Sequence, residues 1–289
     1  MTPKAIVNAM ENRLGLTGSP GQLRDAIEKE LLASGMGAAS AAEQVDVLRK
    51  KVTAEIKRRW DERVDLGEIA ILNLRGDDGE IVFGSSYVFG DDSDPIKQSK
   101  LNRISADEIF GHIRNLTFAQ FERFGRSVLR ELGSTTAQVT PHAGDQGIDF
   151  YGDITVGSLL NADPAILRLM HETKVIVVGQ AKHYPTTVIG PAIVRELVGA
   201  LSLSRTYTYS RDDLDLLNGV ELRPFSPVLA LLFSTGTFTK GARHLAKRAG
   251  LIVFSGWQLA VFLADKGIGI VHNGGVAKFE PTAFDAWLE

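Results

Sequence analysis

The sequence predicts an α/β protein in which a mixed β-sheet is flanked by helices. Strand-like apolar runs alternate with amphipathic helical patterns from residue 117 onward. The 289 residues are 44% hydrophobic and 23% charged, as in a globular protein that buries a core. The longest apolar runs, such as Val228–Phe233, are much too short to span a bilayer. At about 100–200 residues per domain, the length predicts one large domain or two ordinary ones.

Residues 1–63 show helical patterns. Apolar residues at helical spacing predict one helix over 22–33 and a second over 40–63. Gly35 and Gly37 break the chain between them.

Two β-rich segments follow, at 68–75 and 80–89, and the turn-forming GDDG between them predicts a hairpin. The polar segment 90–100 predicts a linker. We therefore expect an N-terminal α+β domain over residues 1–100, with a recognition or assembly role. Its acidic balance argues against direct DNA binding, whereas the basic run 57–59 argues for it.

A second domain is predicted over residues 104–289. An amphipathic pattern with Gly133 just past its end predicts a helix over 117–132. The patterns that follow predict strands at 138–140, 148–151, 174–182, 228–233 and 251–254, and helices at 190–204, 240–249 and 257–263.

The net charge and the cysteine content exclude several classes of protein and of functional site. The net charge of −3 excludes a polycation that coats nucleic acid by charge alone. With 0 cysteines, disulfides, thiolate zinc sites and a cysteine nucleophile are excluded, and a reducing compartment is favoured. The 6 histidines lack metal-ligand spacing. The N-terminus has no apolar signal core, so we expect a soluble, cytoplasmic protein with no membrane contact.

Three polar residues stand out in the predicted strands. Asp149 follows a glycine turn, and Gln180 and Lys182 share one face near the end of the strongest strand. A carboxylate and an amide oxygen suit a hard divalent ion, and a lysine stabilises developing negative charge or helps to activate water. This set suits phosphodiester hydrolysis. The alternative is a turn-forming aspartate beside a solvated strand edge.

Three blocks, GDQGIDF at 144–150, GQAKHY at 179–184 and IVREL at 193–197, resemble the Mrr-type restriction endonucleases. These form a branch of the PD-(D/E)xK nuclease superfamily in which glutamine replaces the second acid, giving D…QxK. Residues 233–263 resemble the closing β-α-β-α unit of the family, and the whole resemblance covers a core of 116–265. It implies a restriction-endonuclease-like core, with a mixed central sheet flanked by helices.

The resemblance also implies roles for individual residues. Asp149 would be the metal-binding acid, Gln180 a metal ligand through its side-chain oxygen, and Lys182 the catalytic lysine. Glu122 matches a helix acid that is aimed at the metal or its water, although it could instead pair with Arg126 one turn on. The implied ion is Mg²⁺, with Mn²⁺ as a substitute.

The activity implied is that of a Mg²⁺-dependent, type IV restriction-like endodeoxyribonuclease that cuts foreign or modified double-stranded DNA in defence. Because cutting two strands needs two active sites, we expect a homodimer, and partner subunits of a defence system are a further expectation. Two alternatives stay open. One is a DNA-binding or assembly subunit with a nuclease fold that needs a partner for activity. The other is a nuclease for branched DNA or RNA.

A basic stripe marks the predicted helix at 240–249. Lys240, Arg243 and Lys247 fall at i, i+3, i+7 spacing, and hydroxyl residues precede them, namely Ser234, Thr235, Thr237 and Thr239. The pattern predicts contacts to DNA phosphates, in which Thr237 takes part. The alternative is a solvated helix face.

Two segments depart from the family pattern, at 157–173 and 207–227. Each could cap the groove, form a partner surface or restrict the DNA that enters. Glu196 either pairs with a basic group or has a direct role in the site. His183 should point away from Lys182, in a structural or DNA-contacting position.

Overall fold

The computed structural model describes residues 1–141, 147–155, 168, 173–205, 227–273 and 276–289. Its contacts divide the chain into two compact units. The N-terminal unit comprises Met1–Asp107 and Val261–Glu280, and the sheet unit comprises Glu108–Ala260 and Pro281–Glu289.

The secondary structure of the described residues follows in chain order. The helices are α1 (Pro3–Leu14), α2 (Leu23–Ala33), α3 (Ala38–Asp65), α4 (Asp94–Arg103), α5 (Ala106–Asn115), α6 (Phe118–Glu131), α7 (Pro191–Arg205), α8 (Lys240–Ala249), α9 (Gly256–Lys266) and α10 (Pro281–Leu288). The strands are β1 (Gly21–Gln22), β2 (Leu72–Arg75), β3 (Ile81–Gly84), β4 (Gln138–Val139), β5 (Phe150–Thr155), β6 (Lys174–Lys182), β7 (Val228–Ser234), β8 (Leu251–Phe254), β9 (Ile270–Asn273) and β10 (Val276–Phe279). None of these helices is both long and apolar enough to cross a membrane.

The N-terminal unit packs α1, α2 and α3 around one apolar core, beside a three-stranded antiparallel sheet in the order β1-β3-β2. The helices predicted over 22–33 and 40–63 are confirmed as α2 and α3. The predicted hairpin is confirmed as β2–β3, whose turn places Gly76 and Gly79 at φ values of 99° and 70°. Such positive φ values suit glycine, which has no Cβ.

The basic run 57–59 is engaged in ion pairs within the N-terminal unit. Arg59 joins α1 to α3, because its guanidinium contacts Glu11 at 2.6 Å and Glu55 at 2.9 Å. Arg58 contacts Glu55 at 2.8 Å. Hydrogen bonding to Arg58 lowers the pKa of Glu55 to about 2. Two of the three cations in the run therefore serve as partners for carboxylates in the unit.

The predicted linker at 90–100 is wrong in its second half, where α4 begins at Asp94. Pro95 in the first turn is a helix-start signal that the polar composition obscured. The helix is held by tertiary contacts, because the Arg103 guanidinium lies 2.6 Å from Asp265 and Ser99 donates a hydrogen bond to the same carboxylate. Segment Val261–Glu280 thus joins the N-terminal unit, which the sequence pattern did not indicate.

The sheet unit is built on a five-stranded mixed sheet in the order β4-β5-β6-β7-β8. Strands β4, β5 and β6 pair antiparallel, whereas β6, β7 and β8 pair parallel. The predicted α/β class with a mixed central sheet flanked by helices, and with an N-terminal α+β part, is therefore confirmed. The predicted strands at 174–182 and 251–254 and the predicted helix at 240–249 agree with β6, β8 and α8.

Helices cover the two faces of this sheet. On one face, alternate strand residues such as Val178 and Leu232 pack with α7 and α8 in one apolar cluster. On the other face, the Phe150 ring lies between α6 and β6. A Cβ added to Gly125 of α6 would lie 2.2 Å from that ring, and one added to Gly179 of β6 would lie 2.0 Å from it. Both glycines are therefore needed for α6 to lie close to the sheet.

Some predictions fall outside the described residues. These are the PHAGDQG turn over 141–147 apart from Pro141 and Gly147, the 157–173 insertion apart from Arg168 and Thr173, and the 207–227 segment apart from Pro227.

Candidate active site

Asp149 immediately precedes β5 and is held against β6. The antiparallel register pairs Phe150 with Gly179, which places Asp149 beside Gln180. The Asp149 N–H donates to the Gly179 carbonyl at 2.8 Å, and its Oδ2 accepts from the Ala181 N–H at 2.6 Å. The residue is 9% exposed. The backbone of β6 therefore fixes the orientation of this carboxylate.

Gln180 is 1% exposed, and its Oε1 has no hydrogen-bond partner among the described residues. Its Nε2 lies beside Gly147, where an added Cβ would be only 3.0 Å away and where φ is +84°. Leaving a buried acceptor unsatisfied costs about 1–3 kcal/mol, so such an atom calls for a partner.

The donor set at this point fits a hard divalent cation. Amide and carboxylate oxygens are the ligands that such ions prefer, and Asp149 and Gln180 supply one of each side by side. No group of three or more His, Cys, Asp or Glu side chains in metal-binding arrangement occurs among the described residues. A metal site at this point would combine the Asp149 carboxylate with the amide oxygen of Gln180.

Lys182 is the last residue of β6 and lies on the same face as Gln180. Its Nζ lies 3.0 Å from Oε1 of Glu196 on α7, and the two side chains are 19% and 52% exposed. Of the two alternatives for Glu196, the structure thus shows pairing with a basic group, and the basic group is the candidate catalytic lysine.

Glu122 is half-buried on α6, the helix that covers the opposite face of the sheet from Gln180 and Lys182. The hydroxyl of Thr117 caps this helix and forms a capping box with Gln120, which fixes where α6 begins. The structure thus brings Asp149 and Gln180 together at one face and places Glu122 on a different layer. The metal role of Glu122 stays a prediction.

His183 lies on the α6 side of the sheet, as the alternation of strand side chains predicts. Its ring lies edge-on to Phe118, with ring centroids 5.1 Å apart, and 6.1 Å from the centroid of Phe121. These contacts suit the structural alternative, and a DNA-contacting position stays a prediction.

The predicted basic stripe forms one side of α8, because Ala242 and Ala246 face the core. Lys240 and Lys247 are exposed, whereas Arg243 is half-buried with its guanidinium 5.7 Å from the centroid of the Phe238 ring.

The hydroxyl residues before the stripe divide into two groups. Thr237 is exposed, and the Thr239 hydroxyl caps α8 by accepting the Ala242 N–H. Ser234 and Thr235 are both 0% exposed. The expectation that these last two hydroxyls add to a DNA-contacting surface is therefore wrong, because the last residue of β7 and the residue directly after it are both buried in the interior.

A comparison with models of known protein families identifies a type of domain in part of the chain. Residues 113–210 match the model of the Mrr catalytic domain, described as a restriction endonuclease. This match covers less than half of the chain but includes Glu122, Asp149, Gln180, Lys182 and Glu196. No curated protein matches the chain.

Similar solved structures include two restriction endonucleases. The MspJI restriction endonuclease in complex with a 27-mer oligonucleotide is 20% identical, with a TM-score of 0.35 over 63% of this chain and 36% of that chain. Restriction endonuclease FokI is 11% identical, with a TM-score of 0.36 over 92% of this chain and 44% of that chain. The chain thus spans less than half the length of either protein. Over residues 113–210, this chain is therefore similar to the catalytic domain of Mrr-type restriction endonucleases, and the candidate site lies within that segment.

Proposed function

We propose that this protein is a Mg²⁺-dependent DNA endonuclease that hydrolyses phosphodiester bonds in the restriction of foreign or modified DNA. One observation carries the proposal. Gln180 lies opposite Asp149 in the strand register, its buried Oε1 has no hydrogen-bond partner among the described residues, and both residues lie within a segment that matches a restriction endonuclease domain. Lys182 follows two residues later on the same face.

The metal would be held by Asp149 and by Oε1 of Gln180, with Glu122 proposed as a further ligand. The Ala181 N–H fixes one oxygen of Asp149, which orients the carboxylate before an ion arrives. When bound, Mg²⁺ supplies positive charge next to the scissile phosphate and increases the acidity of water, and Mn²⁺ would do the same.

Lys182 would act on the phosphate itself. Its ammonium carries positive charge at the end of β6, where it can orient the attacking water or stabilise the negative charge that develops on the phosphate oxygens. Because this charge is needed mainly in the transition state, Lys182 should contribute to the rate of cleavage more than to DNA affinity.

DNA would be held through its backbone by the α8 stripe. Lys240 and Lys247 are exposed cations, Arg243 lies between them, and the exposed Thr237 lies just before the helix. Such contacts position a duplex without reading its sequence. We propose that sequence or modification is read by the N-terminal unit or a partner subunit, and that two copies of the chain assemble to cut both strands.

The test is cleavage of modified and unmodified plasmid in Mg²⁺, Mn²⁺ or EDTA. The wild-type protein is compared with Asp149→Ala and with Asp107→Ala, an exposed aspartate on α5 that serves as the control. We expect metal-dependent cutting that is lost only in Asp149→Ala. Tight DNA binding without cutting would instead favour a binding or assembly subunit. If the protein cut only branched DNA or RNA, that nucleic acid would replace double-stranded DNA as the proposed substrate.

A further inference from the structure

We infer that Glu196 is a positioning residue for the reaction, which acts by holding the Lys182 ammonium at the phosphate. The inference rests on the nuclease function proposed above. The sequence raised Glu196 as a candidate for an ion pair but could not identify its partner, since Glu196 lies 14 positions beyond Lys182 on a different element.

The pair is anchored at the backbone of both partners. The carbonyl oxygen of Lys182 accepts hydrogen bonds from the Tyr184 N–H at 3.1 Å and from the Thr235 N–H at 3.2 Å. These two bonds fix the end of β6. On α7, Val194 and Leu197 are both 0% exposed and belong to the core cluster beneath the sheet. Glu196 lies between them in the chain, on the exposed side of the helix. The two backbones are thus held in place, and the ion pair at 3.0 Å restricts the flexible part, the four-carbon lysine stem.

The neutral amide at position 180 gives Glu196 a role that a glutamine cannot fill. Gln180 shares the face of Lys182, but an uncharged side chain does not attract an ammonium as a carboxylate would. Among the described residues, the side chain that forms a salt bridge with Lys182 is Glu196. Glu196 therefore supplies the negative charge that the glutamine lacks.

The geometry also leaves Lys182 available for substrate. An ammonium has three N–H donors, and Glu196 accepts one of them at 3.0 Å. The side chain remains 19% exposed, so the other donors can reach a phosphate oxygen and a water. A contact of this kind orients the lysine without occupying all of its donors.

A double-mutant cycle tests the inference, using single-turnover cleavage rates and DNA dissociation constants measured separately. Glu196→Gln should lower the cleavage rate constant by about 10-fold to 100-fold, as is typical when a group that orients a site residue is lost. DNA affinity should change less than about 2-fold, because the ammonium itself remains. Glu196→Asp keeps the charge and should lose less.

The cycle is completed in a background that lacks the lysine. In Lys182→Met, the added Glu196→Gln change should have no further effect, since the glutamate acts through the ammonium. Glu108→Gln removes an exposed glutamate from α5 and serves as the charge-matched control. In protein with ¹⁵N-labelled lysine, the ammonium signal of Lys182 should be visible by NMR in the wild type and lost in Glu196→Gln.

Four results would overturn the inference. These are an unchanged rate in Glu196→Gln, a faster rate, an equal loss in the Lys182→Met background, and a loss of DNA affinity as large as the loss of rate. A faster rate would mean that the glutamate sequesters the lysine. If the wild type cuts no nucleic acid at all, the proposed nuclease function fails, which is distinct from normal cutting by Glu196→Gln.

Discussion

The close contact between α6 and the sheet predicts that one methyl group added to α6 lowers the stability of the fold. Gly125 is an interior helix position, so changing it to alanine would by itself stabilise the protein by about 1 kcal/mol through helix propensity. The new Cβ would however lie 2.2 Å from the Phe150 ring, which already lies against Gly179 on its other side. The ring has no room to move toward β6.

Overpacking a filled core costs about 1–3 kcal/mol, occasionally more, and the absence of space on either side of the ring favours the upper end. We therefore expect Gly125→Ala to destabilise the protein by about 1–2 kcal/mol after the propensity gain is subtracted. At about 2–4 °C per kcal/mol for a unit of this size, the melting temperature should fall by roughly 2–8 °C. Because Phe150 directly follows Asp149, cleavage should fall as well.

The assay is thermal unfolding followed by circular dichroism. Gly111→Ala on α5 is the matched control, because a Cβ there meets nothing within 4 Å and should leave stability unchanged or raise it. Gly125→Ala combined with Phe150→Leu should recover part of the loss. If Gly125→Ala were as stable as Gly111→Ala, the close approach of α6 to the sheet would be refuted.

Three further predictions concern chemistry, DNA contacts and acid stability. Lys182→Ala should abolish plasmid cleavage under multiple turnover, leaving only a residual single-turnover rate, while DNA binding stays within about 2-fold; wild-type cleavage would refute its catalytic role. Charge reversal at Arg243 and Lys247 should weaken binding and reduce the salt slope by about 1 for each lost phosphate contact; an unchanged slope would remove α8 from the interface. The pKa of Glu55 is lowered from 4.5 to about 2, chiefly by hydrogen bonding to Arg58, so its contribution to stability is complete above about pH 4.5 and is lost as the pH falls through 2. Melting temperatures measured across this range should therefore fall less steeply in Glu55→Gln than in the wild type, and parallel curves would contradict the ion pair.

The hydrophobic periodicity of the sequence was sufficient to predict an element's range where the burial of that element shows directly in its own residue pattern. Strand β6 and helix α8 agree with their predicted ranges, because a buried strand reads as a continuous apolar run and a half-buried helix shows an apolar stripe. The same local rule placed Gln180 and Lys182 on one face. Helix α4 was missed within the predicted linker at 90–100, because the helix is polar and its packing depends on residues such as Asp265 far along the chain.

The sequence by itself therefore determined the α/β class, the D…QxK motif and the side of the strand on which its residues lie. Only the tertiary structure decided which atoms meet. It placed Glu196 at 3.0 Å from Lys182 and buried the hydroxyls of Ser234 and Thr235. It also buried Oε1 of Gln180 without a hydrogen-bond partner among the residues that the structure describes. Periodicity describes how one element turns about its own axis, whereas these contacts depend on strand register and on how closely helices approach the sheet. Those are set jointly by residues distant in the chain, such as Gly125, Phe150 and Gly179.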